Sequence, residues 1–197
     1  MVQYFSDYVN NHTQVSKEII DQLLMQCYTV SLSKGEMLHP QGDISRKSYF
    51  VQKGLLRYYS IDNKGKEHVL QFAPEGWFIS DRQSACTIEK SDFFIEALEE
   101  TNAVVLDQDF LNNLSEQSAS FLEFNTQLLQ NHIRQLQNRI NQLLSYSAEE
   151  RYLDFIRIYP DILIRVPQAM IASYLGITPE SLSRVRKDIA LRHQKKQ

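Results

Sequence analysis

The sequence is poor in the residues that hold metal-linked or covalently braced structures together. Its 197 residues include only two cysteines, Cys27 and Cys86. Two cysteines so far apart cannot by themselves hold an iron–sulfur cluster or a zinc ion, so no metal and no cofactor are expected. No apolar run approaches the ~18 residues of a membrane-spanning helix. The first residues also lack the basic start and apolar segment of a secretory signal. We therefore expect a cytoplasmic protein without membrane contact.

Sequence motifs of the common enzyme classes are missing as well. There is no Gly-x-Ser-x-Gly, no Gly-rich loop to cradle a phosphate and no histidine-rich metal-binding spacing. The five histidines are scattered along the chain, which is typical of ordinary surface or core residues. The apolar content of 43% is enough for a packed core. The sequence therefore favours a folded protein that is not an enzyme.

Charge is unevenly distributed along the chain. The whole sequence carries −3 at pH 7, but residues 1–147 carry −6 and residues 148–197 carry +3. This asymmetry favours a basic module that binds a polyanion, such as double-stranded DNA. A basic tail that only improves solubility explains the charge equally well, so the charge alone does not separate the two interpretations.

The first half of the chain predicts a helix followed by a β-rich region. Ser16 is a good N-cap before a helix that begins at Lys17, where apolar residues recur at helical spacing. From Tyr28 to about Asp107 the pattern changes to short strand-like runs separated by turns, and residues 62–66 predict a hairpin turn. Short strands at regular spacing are typical of a barrel or roll.

Residues 111–146 contain neither Gly nor Pro and predict one long helix. Part of it follows a heptad with Ile at a and Leu at d, which favours a parallel two-stranded coiled coil. The predicted dimer interface consists of Leu122, Leu129, Ile133, Leu136, Ile140 and Leu143. The alternative is a helix that lies against its own domain. Three further apolar residues lie off this seam, namely Phe121, Phe124 and Leu128. We therefore expect the N-terminal half of the helix both to form the dimer and to pack against its own domain.

The C-terminal segment begins at a capping box and contains a helix-turn-helix pattern. Ser147, with a glutamate three positions later, marks the start of a new helix. Within residues 168–187, Gly176 stands where the chain turns sharply and favours a positive φ. Thr178 caps the second helix, and Pro179 occupies its first position, where a missing N–H costs nothing.

The second helix of this motif has an apolar face and a polar face. Leu182 and Val185 face the core, and the polar side chains between them face outward. Arg184 has the donors for guanine O6 and N7, and Glu180 can accept from the cytosine amine. The candidate base-reading residues are Glu180, Ser181, Ser183 and Arg184, and the candidate phosphate contacts are Thr178, Arg186, Lys187 and Arg192. The alternative is a generic pair of antiparallel helices.

Over most of its length the chain resembles the Crp/Fnr family, named after the cyclic AMP receptor protein and the fumarate-nitrate regulator. The motifs that follow the family's β-roll in order and spacing are Gly35 and Glu36, residues 41–43, residues 49–54, residues 65–67 and residues 76–79. The second helix resembles the Glu-x-x-Ser-Arg pattern of the fumarate-nitrate branch at Glu180, Ser183 and Arg184.

This resemblance implies an α+β fold in three parts. Residues 1–113 are expected to form a β-roll sensor domain similar to cyclic-nucleotide-binding domains, residues 114–146 a dimerisation helix, and residues 147–197 a helix-turn-helix domain. The last domain resembles a winged helix, with a short or absent wing. The resemblance also implies a homodimer that binds palindromic operators in double-stranded DNA and has RNA polymerase as a further partner.

The resemblance fails at the family's ligand positions. Members that bind cyclic nucleotides have Gly-Glu for the ribose and Arg for the cyclic phosphate. In this chain the ribose position has Ser80 and Asp81. The phosphate position falls in residues 92–95, which contain no Arg. A phosphate without a cation is poorly held, and nearby Arg82 is not expected to substitute. The possible pocket for a small-molecule effector consists of Ser80, Asp81, Arg82, Phe93 and Phe94. We expect an effector other than cyclic AMP.

Two other functions compete with that of a transcription regulator. The chain is alternatively a ligand-binding or scaffold protein whose helix-turn-helix serves only packing or protein interaction. An RNA-binding protein is a third hypothesis, but the basic segment has no platform of exposed aromatic residues on which bases stack. Salt-dependent DNA binding separates these hypotheses, because phosphate contacts release counterions.

Overall fold

A computed structural model describes residues 3–12, 14–81 and 89–194 of the chain. The helices are α1 (Gln3–His12), α2 (Lys17–Gln26), α3 (Gln108–Gln117), α4 (Ala119–Ser145), α5 (Ala148–Ile158), α6 (Ile162–Arg165), α7 (Gln168–Leu175) and α8 (Pro179–Gln194). The strands are β1 (Tyr28–Leu32), β2 (Met37–His39), β3 (Lys47–Lys53), β4 (Leu56–Ile61), β5 (Glu67–Ala73), β6 (Phe78–Ile79), β7 (Phe93–Ala97) and β8 (Thr101–Asp107).

The strands form two four-stranded antiparallel sheets, which confirms the predicted roll between Tyr28 and Asp107. One sheet, here called sheet A, has the order β1-β8-β3-β6, and the other, sheet B, has the order β2-β7-β4-β5. The predicted hairpin turn joins β4 to β5. Its Asp62 carboxylate accepts hydrogen bonds from the backbone N–H groups of Lys64 at 2.8 Å and Lys66 at 3.0 Å.

Three apolar layers hold the fold together. The first lies between the two sheets and includes Val51 and Ile95. A second covers the outer face of sheet A, where α1, α2, α3 and the start of α4 pack around Phe50. The third lies on the outer face of sheet B and brings it against the C-terminal helices. Both faces of the roll are therefore covered, each by a different group of helices.

The prediction of one uninterrupted helix over residues 111–146 is wrong. The chain leaves the helical conformation at Ser118, with φ −137° and ψ 112°, and this residue ends α3 and begins α4. Its side-chain oxygen accepts a hydrogen bond from the backbone N–H of Phe121 at 3.3 Å. A serine competes for backbone hydrogen bonds and so favours a helix start, a signal that the absence of Gly and Pro does not reveal.

Other predicted boundaries agree closely with the structure. Helix α2 begins at Lys17 as expected, although the Ser16 side chain makes no capping hydrogen bond. The capping box at Ser147 is confirmed and opens α5. No strand follows Ser147 in the described residues, so the helix-turn-helix has no wing there. None of the described helices is long and apolar enough to cross a membrane. The domain limits at 113 and 146 stay a prediction.

Candidate functional site

Helices α7 and α8 form the predicted helix-turn-helix. Gly176 ends α7 in the left-handed conformation, with φ 66° and ψ 34°, a region that a side chain disfavours. The backbone N–H of Ile177 returns to the carbonyl oxygen of Ala172 at 3.0 Å, which closes the turn. Thr178 then caps α8, because its hydroxyl oxygen accepts from the backbone N–H of Ser181 at 3.2 Å. The turn is therefore fixed by backbone hydrogen bonds.

One face of α8 is buried and the other is exposed. Leu182 is completely buried, and Val185 packs beside it, as predicted. The exposed side chains on the opposite face are Glu180, Ser183, Arg184 and Lys187. These four positions are spaced i, i+3, i+4 and i+7, so they lie along one side of the helix. Three of the four predicted base-reading residues are on this face.

The fourth predicted base-reading residue, Ser181, is placed differently. It is half-buried, and its hydroxyl lies 3.2 Å from that of Thr178 within the cap of α8. Glu180 is fully exposed, and its pKa is lowered by a hydrogen bond from its own backbone N–H, then by the Thr178 hydroxyl, and least by the charge of Arg184. Glu180 is therefore an ionised acceptor beside a cation at neutral pH.

The predicted phosphate contacts are not equivalent in the structure. Lys187 is exposed on the same face as Arg184, whereas Arg186 is half-buried. Arg192 is ion-paired with Glu149 at the start of α5 and donates to the carbonyl oxygen of Asp188 at 3.3 Å. The Arg192 guanidinium is therefore already occupied within the chain, and Lys187 is the better placed of the three cations.

Helix α4 presents the predicted seam on its outer side. The six residues of the seam, Leu122, Leu129, Ile133, Leu136, Ile140 and Leu143, are each between 41% and 57% exposed in this single chain. On the opposite side Phe121 and Phe124 are buried against α1, α2 and sheet A. These two faces are consistent with the expectation that the first half of the helix both packs against its own domain and contributes to the dimer.

The C-terminal helices also pack on the outer face of sheet B, a contact that sequence reasoning missed. The buried residues that form this junction cluster are Leu55, Tyr59, Val69, Phe72 and Leu98 of the roll, together with Tyr152, Phe155, Tyr159, Ile162, Val166, Ile171, Ala172, Tyr174, Leu175 and Leu182. The ring of Phe72 lies 6.2 Å from that of Phe155 and 5.6 Å from that of Tyr174. The only sequence signal was the high aromatic content of residues 152–174.

Polar contacts fix the position of this junction. The hydroxyl of Ser173 on α7 accepts from the backbone N–H of Val69 at 3.0 Å and donates to the carbonyl oxygen of Glu67 at 2.9 Å. Arg165 forms ion pairs with Glu75 at 3.0 Å and with Glu99 at 2.6 Å. Both sets of contacts join the helix-turn-helix domain directly to strands or turns of the roll.

The residues of the predicted effector pocket do not all come together. Tyr58 of β4 donates to the buried Asp81 carboxyl group at 3.2 Å, and its ring lies 4.8 Å from that of Phe93. Phe94 lies on the opposite face of β7, where it stacks on Tyr59 and packs against the junction cluster. This separation follows from the alternation of side chains along a strand. Arg82 lies outside the described residues.

The group around Asp81 is acidic and phenolic rather than cationic. His39 Nε2 lies 3.5 Å from Asp81 Oδ2, and both side chains are 1% exposed. Burial, followed by the neighbouring Asp81, raises the pKa of Tyr58. Ser80 points elsewhere and lines a cavity of about 250 Å³ between α1, β6 and α4. The described neighbours of Asp81, at the family's ribose position, therefore include His39 and Tyr58.

Comparison with known proteins gives consistent results for the two halves of the chain. The family described as the cyclic nucleotide-binding domain matches residues 29–118. The fumarate and nitrate reduction regulatory protein of Vibrio cholerae is 26% identical over 165 residues, which cover 78% of this chain. The transcriptional activator protein anr of Pseudomonas aeruginosa is 28% identical over the same share of the chain. These likenesses support a regulator of the Crp/Fnr type.

The three-part architecture is that of solved Crp/Fnr structures. The structure of FixK2 from Bradyrhizobium japonicum superposes with a TM-score of 0.73 at 17% identity, covering 85% of this chain and 86% of that one. The predicted α+β fold, with a β-roll, a long helix and a helix-turn-helix, is thereby confirmed. The chain matches 65% of the length of the Vibrio relative and 67% of that of the Pseudomonas relative.

Replacing Ser173 by Ala tests how this chain holds its helix-turn-helix against the roll. The change leaves the N–H of the buried Val69 without its partner, which costs about 1–3 kcal/mol, and removes the donor to the carbonyl of the exposed Glu67. We expect the Val69 amide to exchange with solvent roughly tenfold faster, measured by native-state hydrogen exchange. Ser183→Ala, on the exposed face of α8, is the control. Equal protection in both variants would mean that Ser173 does not fix the junction.

Proposed function

We propose that this chain is a sequence-specific DNA-binding transcription regulator that acts as a homodimer. The observation that carries the proposal is the polar face of α8. Glu180, Ser183, Arg184 and Lys187 stay exposed while the other face of the same helix is buried in the junction cluster. A helix held rigidly on one side with such residues on the other suits the major groove of DNA.

The scaffold hypothesis explains the buried side of the helix-turn-helix but not its exposed side. Packing uses Leu182 and Val185, and the polar face takes no part in the junction cluster. The names of the relatives, a regulatory protein and a transcriptional activator, support the regulator interpretation. RNA polymerase is proposed as a second partner because the resemblance to the Crp/Fnr family implies it.

Base reading is assigned to Arg184 and Glu180. The Arg184 guanidinium can donate twice to guanine, and the ionised Glu180 can accept from the amine of the paired cytosine. Lys187, one turn further along the same face, is assigned to the phosphate backbone, which carries no sequence information. The half-site is therefore expected to contain a G·C pair at the position that α8 contacts.

The homodimer is proposed to form along the seam of α4. The six apolar residues of the seam are about half exposed in one chain, so burying the exposed part of each is worth roughly half of the 1.5–3 kcal/mol of a fully exposed large aliphatic side chain. A parallel pairing places two recognition helices about one turn of DNA, ~34 Å, apart. The operator is therefore expected to be a palindrome.

The sensor is proposed to respond to an effector other than cyclic AMP. The buried Asp81, with Tyr58 and His39 as its neighbours, occupies the region where the family holds a nucleotide. Residues 92–95, where the members that bind cyclic nucleotides have the arginine for the cyclic phosphate, contain no arginine, and a phosphate without a cation is poorly held.

Replacing Leu136 and Ile140 by Asp tests the seam. Two buried charges on each helix would oppose pairing because their desolvation is not compensated. We expect a monomer by light scattering. The control is the double variant Gln127→Asp/Asn131→Asp, at exposed heptad positions b and f, and it should remain dimeric. A dimeric Leu136→Asp/Ile140→Asp protein would place the interface elsewhere.

Cyclic AMP binding can be measured directly by calorimetry on the folded full chain. We expect no heat of binding at physiological nucleotide concentrations, because the pocket lacks the family's arginine. A micromolar dissociation constant would contradict this expectation and would direct attention to Arg82.

Selection of bound sequences from a random pool tests base reading by Arg184. We expect Arg184→Ala to lose about 1–3 kcal/mol per half-site and to relax the preference at one G·C pair. Lys187→Ala is the matched comparison. It should weaken binding to all sequences alike and reduce the salt slope by about 0.9 for each phosphate that Lys187 neutralises in the wild type.

Two outcomes would count against these assignments. If the wild type and Arg184→Ala enriched the same palindrome with equal preference at every position, Arg184 would not be a base reader. If the wild type bound DNA without any dependence on salt or sequence, the scaffold hypothesis would replace the regulator proposal.

A further inference from the structure

Two arginines meet where the long helix approaches the helix-turn-helix domain. The guanidinium of Arg139 on α4 lies 3.9 Å above the ring of Tyr174 on α7. Arg151 on α5 donates through Nη1 to the carbonyl oxygen of Leu143 at 3.3 Å. Arg139 Nη1 and Arg151 Nε are buried and have no hydrogen-bond acceptor among the described residues. Each guanidinium therefore keeps a donor without a partner.

Neither arginine has a carboxylate counter-ion of the kind that other buried or partly buried arginines of this chain possess. Arg57 is ion-paired with Glu67 and Glu96 on the surface of sheet B, and Arg165 is held by two glutamates at the junction. No described acidic side chain forms an ion pair with Arg139 or Arg151. The pKa of Arg139 is lowered first by burial, while the charge of Arg151 acts in the same direction.

Such an arrangement is unfavourable unless something compensates it. Two like charges repel, and burial strengthens the repulsion by lowering the local dielectric constant. The stacking of Arg139 on Tyr174 offsets part of the cost, since cations are attracted to aromatic faces. It does not supply an acceptor for the unused N–H groups. An anion bound between the helices would supply one and reduce the repulsion.

A cavity lies beside Arg139. It has a volume of about 370 Å³, opens to the surface and is lined by residues of β5, α4, α5 and α7. Its aromatic lining consists of Trp77, Tyr146, Tyr159 and Tyr174, and Arg139 belongs to the wall. Asp154 also lines the cavity, but it is ion-paired with Arg157 and accepts from Gln142. This cavity lies outside the roll and is separate from the group around Asp81.

We infer that this cavity binds a small organic anion, a planar aromatic molecule that carries a carboxylate or a phosphate monoester. Arg139 contacts the acidic group, because a guanidinium matches the geometry of both anions. The aromatic side chains pack against the body of the ligand. Because the walls come from the roll, the long helix and the helix-turn-helix domain, the ligand holds these three parts in one arrangement. Binding itself does not depend on the proposed DNA-binding function, but any effect on DNA affinity does.

Three matched probes test the preference for an anion. These are 2-naphthoate, 2-naphthyl phosphate and the neutral 2-naphthamide, titrated calorimetrically into the full chain without DNA. We expect at least one anion to bind about tenfold or more tightly than the amide, which corresponds to one charge-assisted hydrogen bond. The two anions distinguish a carboxylate ligand from a phosphate ligand. Trp77 is the only tryptophan of the chain, so its fluorescence reports whether the probe enters this cavity.

Variants of the two arginines on α4 complete the test. Arg139→Gln should weaken binding of the preferred anion about tenfold and leave the amide unchanged. Arg134→Gln, at an exposed position on the same helix, is the control and should bind like the wild type. Arg139→Lys keeps the charge and should retain a preference for the anion over the amide. If Arg139→Gln does not fold, this variant tests whether the charge at position 139 gives that preference.

Several results would overturn the inference. One is that neither anion binds up to millimolar concentration, and another is that the amide binds as tightly as the anions. The inference would also be overturned if the preferred anion bound the wild type and Arg139→Gln with equal affinity. The same holds if Arg139→Lys showed no preference for the anion over the amide. In each case Arg139 would be a structural clamp on Tyr174. All these measurements are made without DNA, so their failure is distinguishable from a failure of DNA binding.

Discussion

The packing of the C-terminal helices on the outer face of sheet B determines how the parts of this protein are arranged. Phe72 of β5 lies at its centre, in contact with the rings of Phe155, Tyr159 and Tyr174. Aromatic side chains bury a large area, so this layer contributes much of the apolar burial of the small C-terminal domain. Without it, α5 to α8 would have to make a core from few residues, which is marginal for a domain of this size.

The same contact explains why only one side of the recognition helix is available. Ile171 of α7 and Leu182 of α8 both belong to the junction cluster, so α7 packs on β5 of the roll and α8 packs on α5 and α7. The polar side of α8 then faces away from the chain. Rigid support behind a polar face is what a sequence reader needs, because hydrogen bonds to base edges depend on position.

Helix α4 has three different surfaces along its length. Its first turns bury Phe121 and Phe124 against sheet A, its outer side exposes the apolar seam, and its last turns meet the helix-turn-helix domain through Arg139. A rigid helix of 27 residues, about 40 Å long, transmits a displacement at one end to the other. A ligand beside it can therefore influence both the dimer and the helix-turn-helix.

Local patterns in the sequence were sufficient to predict several elements of this fold. The hairpin at residues 62–66, the capping box at Ser147 and the turn at Gly176 each depend on residues a few positions apart, and each was predicted correctly. The polar face of α8 was predictable for the same reason, since helical periodicity alone separates Leu182 from Arg184. The break at Ser118 was missed because a serine within a polar helix is a weak signal by itself.

Only the tertiary structure decided which surfaces meet. The bulge where β4 pairs with β5 shifts the register between Tyr58 and Tyr59, so Val69 and Phe72, three positions apart, both enter the junction cluster. Strict alternation along the strand would have placed them on opposite faces. Ser173, Arg139 and Arg151 likewise acquire their roles only from the elements that fold beside them. The sequence by itself determined the hairpin at residues 62–66, the helix starts at Lys17 and Ser147 and the polar face of α8, because these follow from local chemistry. Contacts between distant segments depend on the packing of the whole chain, and no local pattern specifies them.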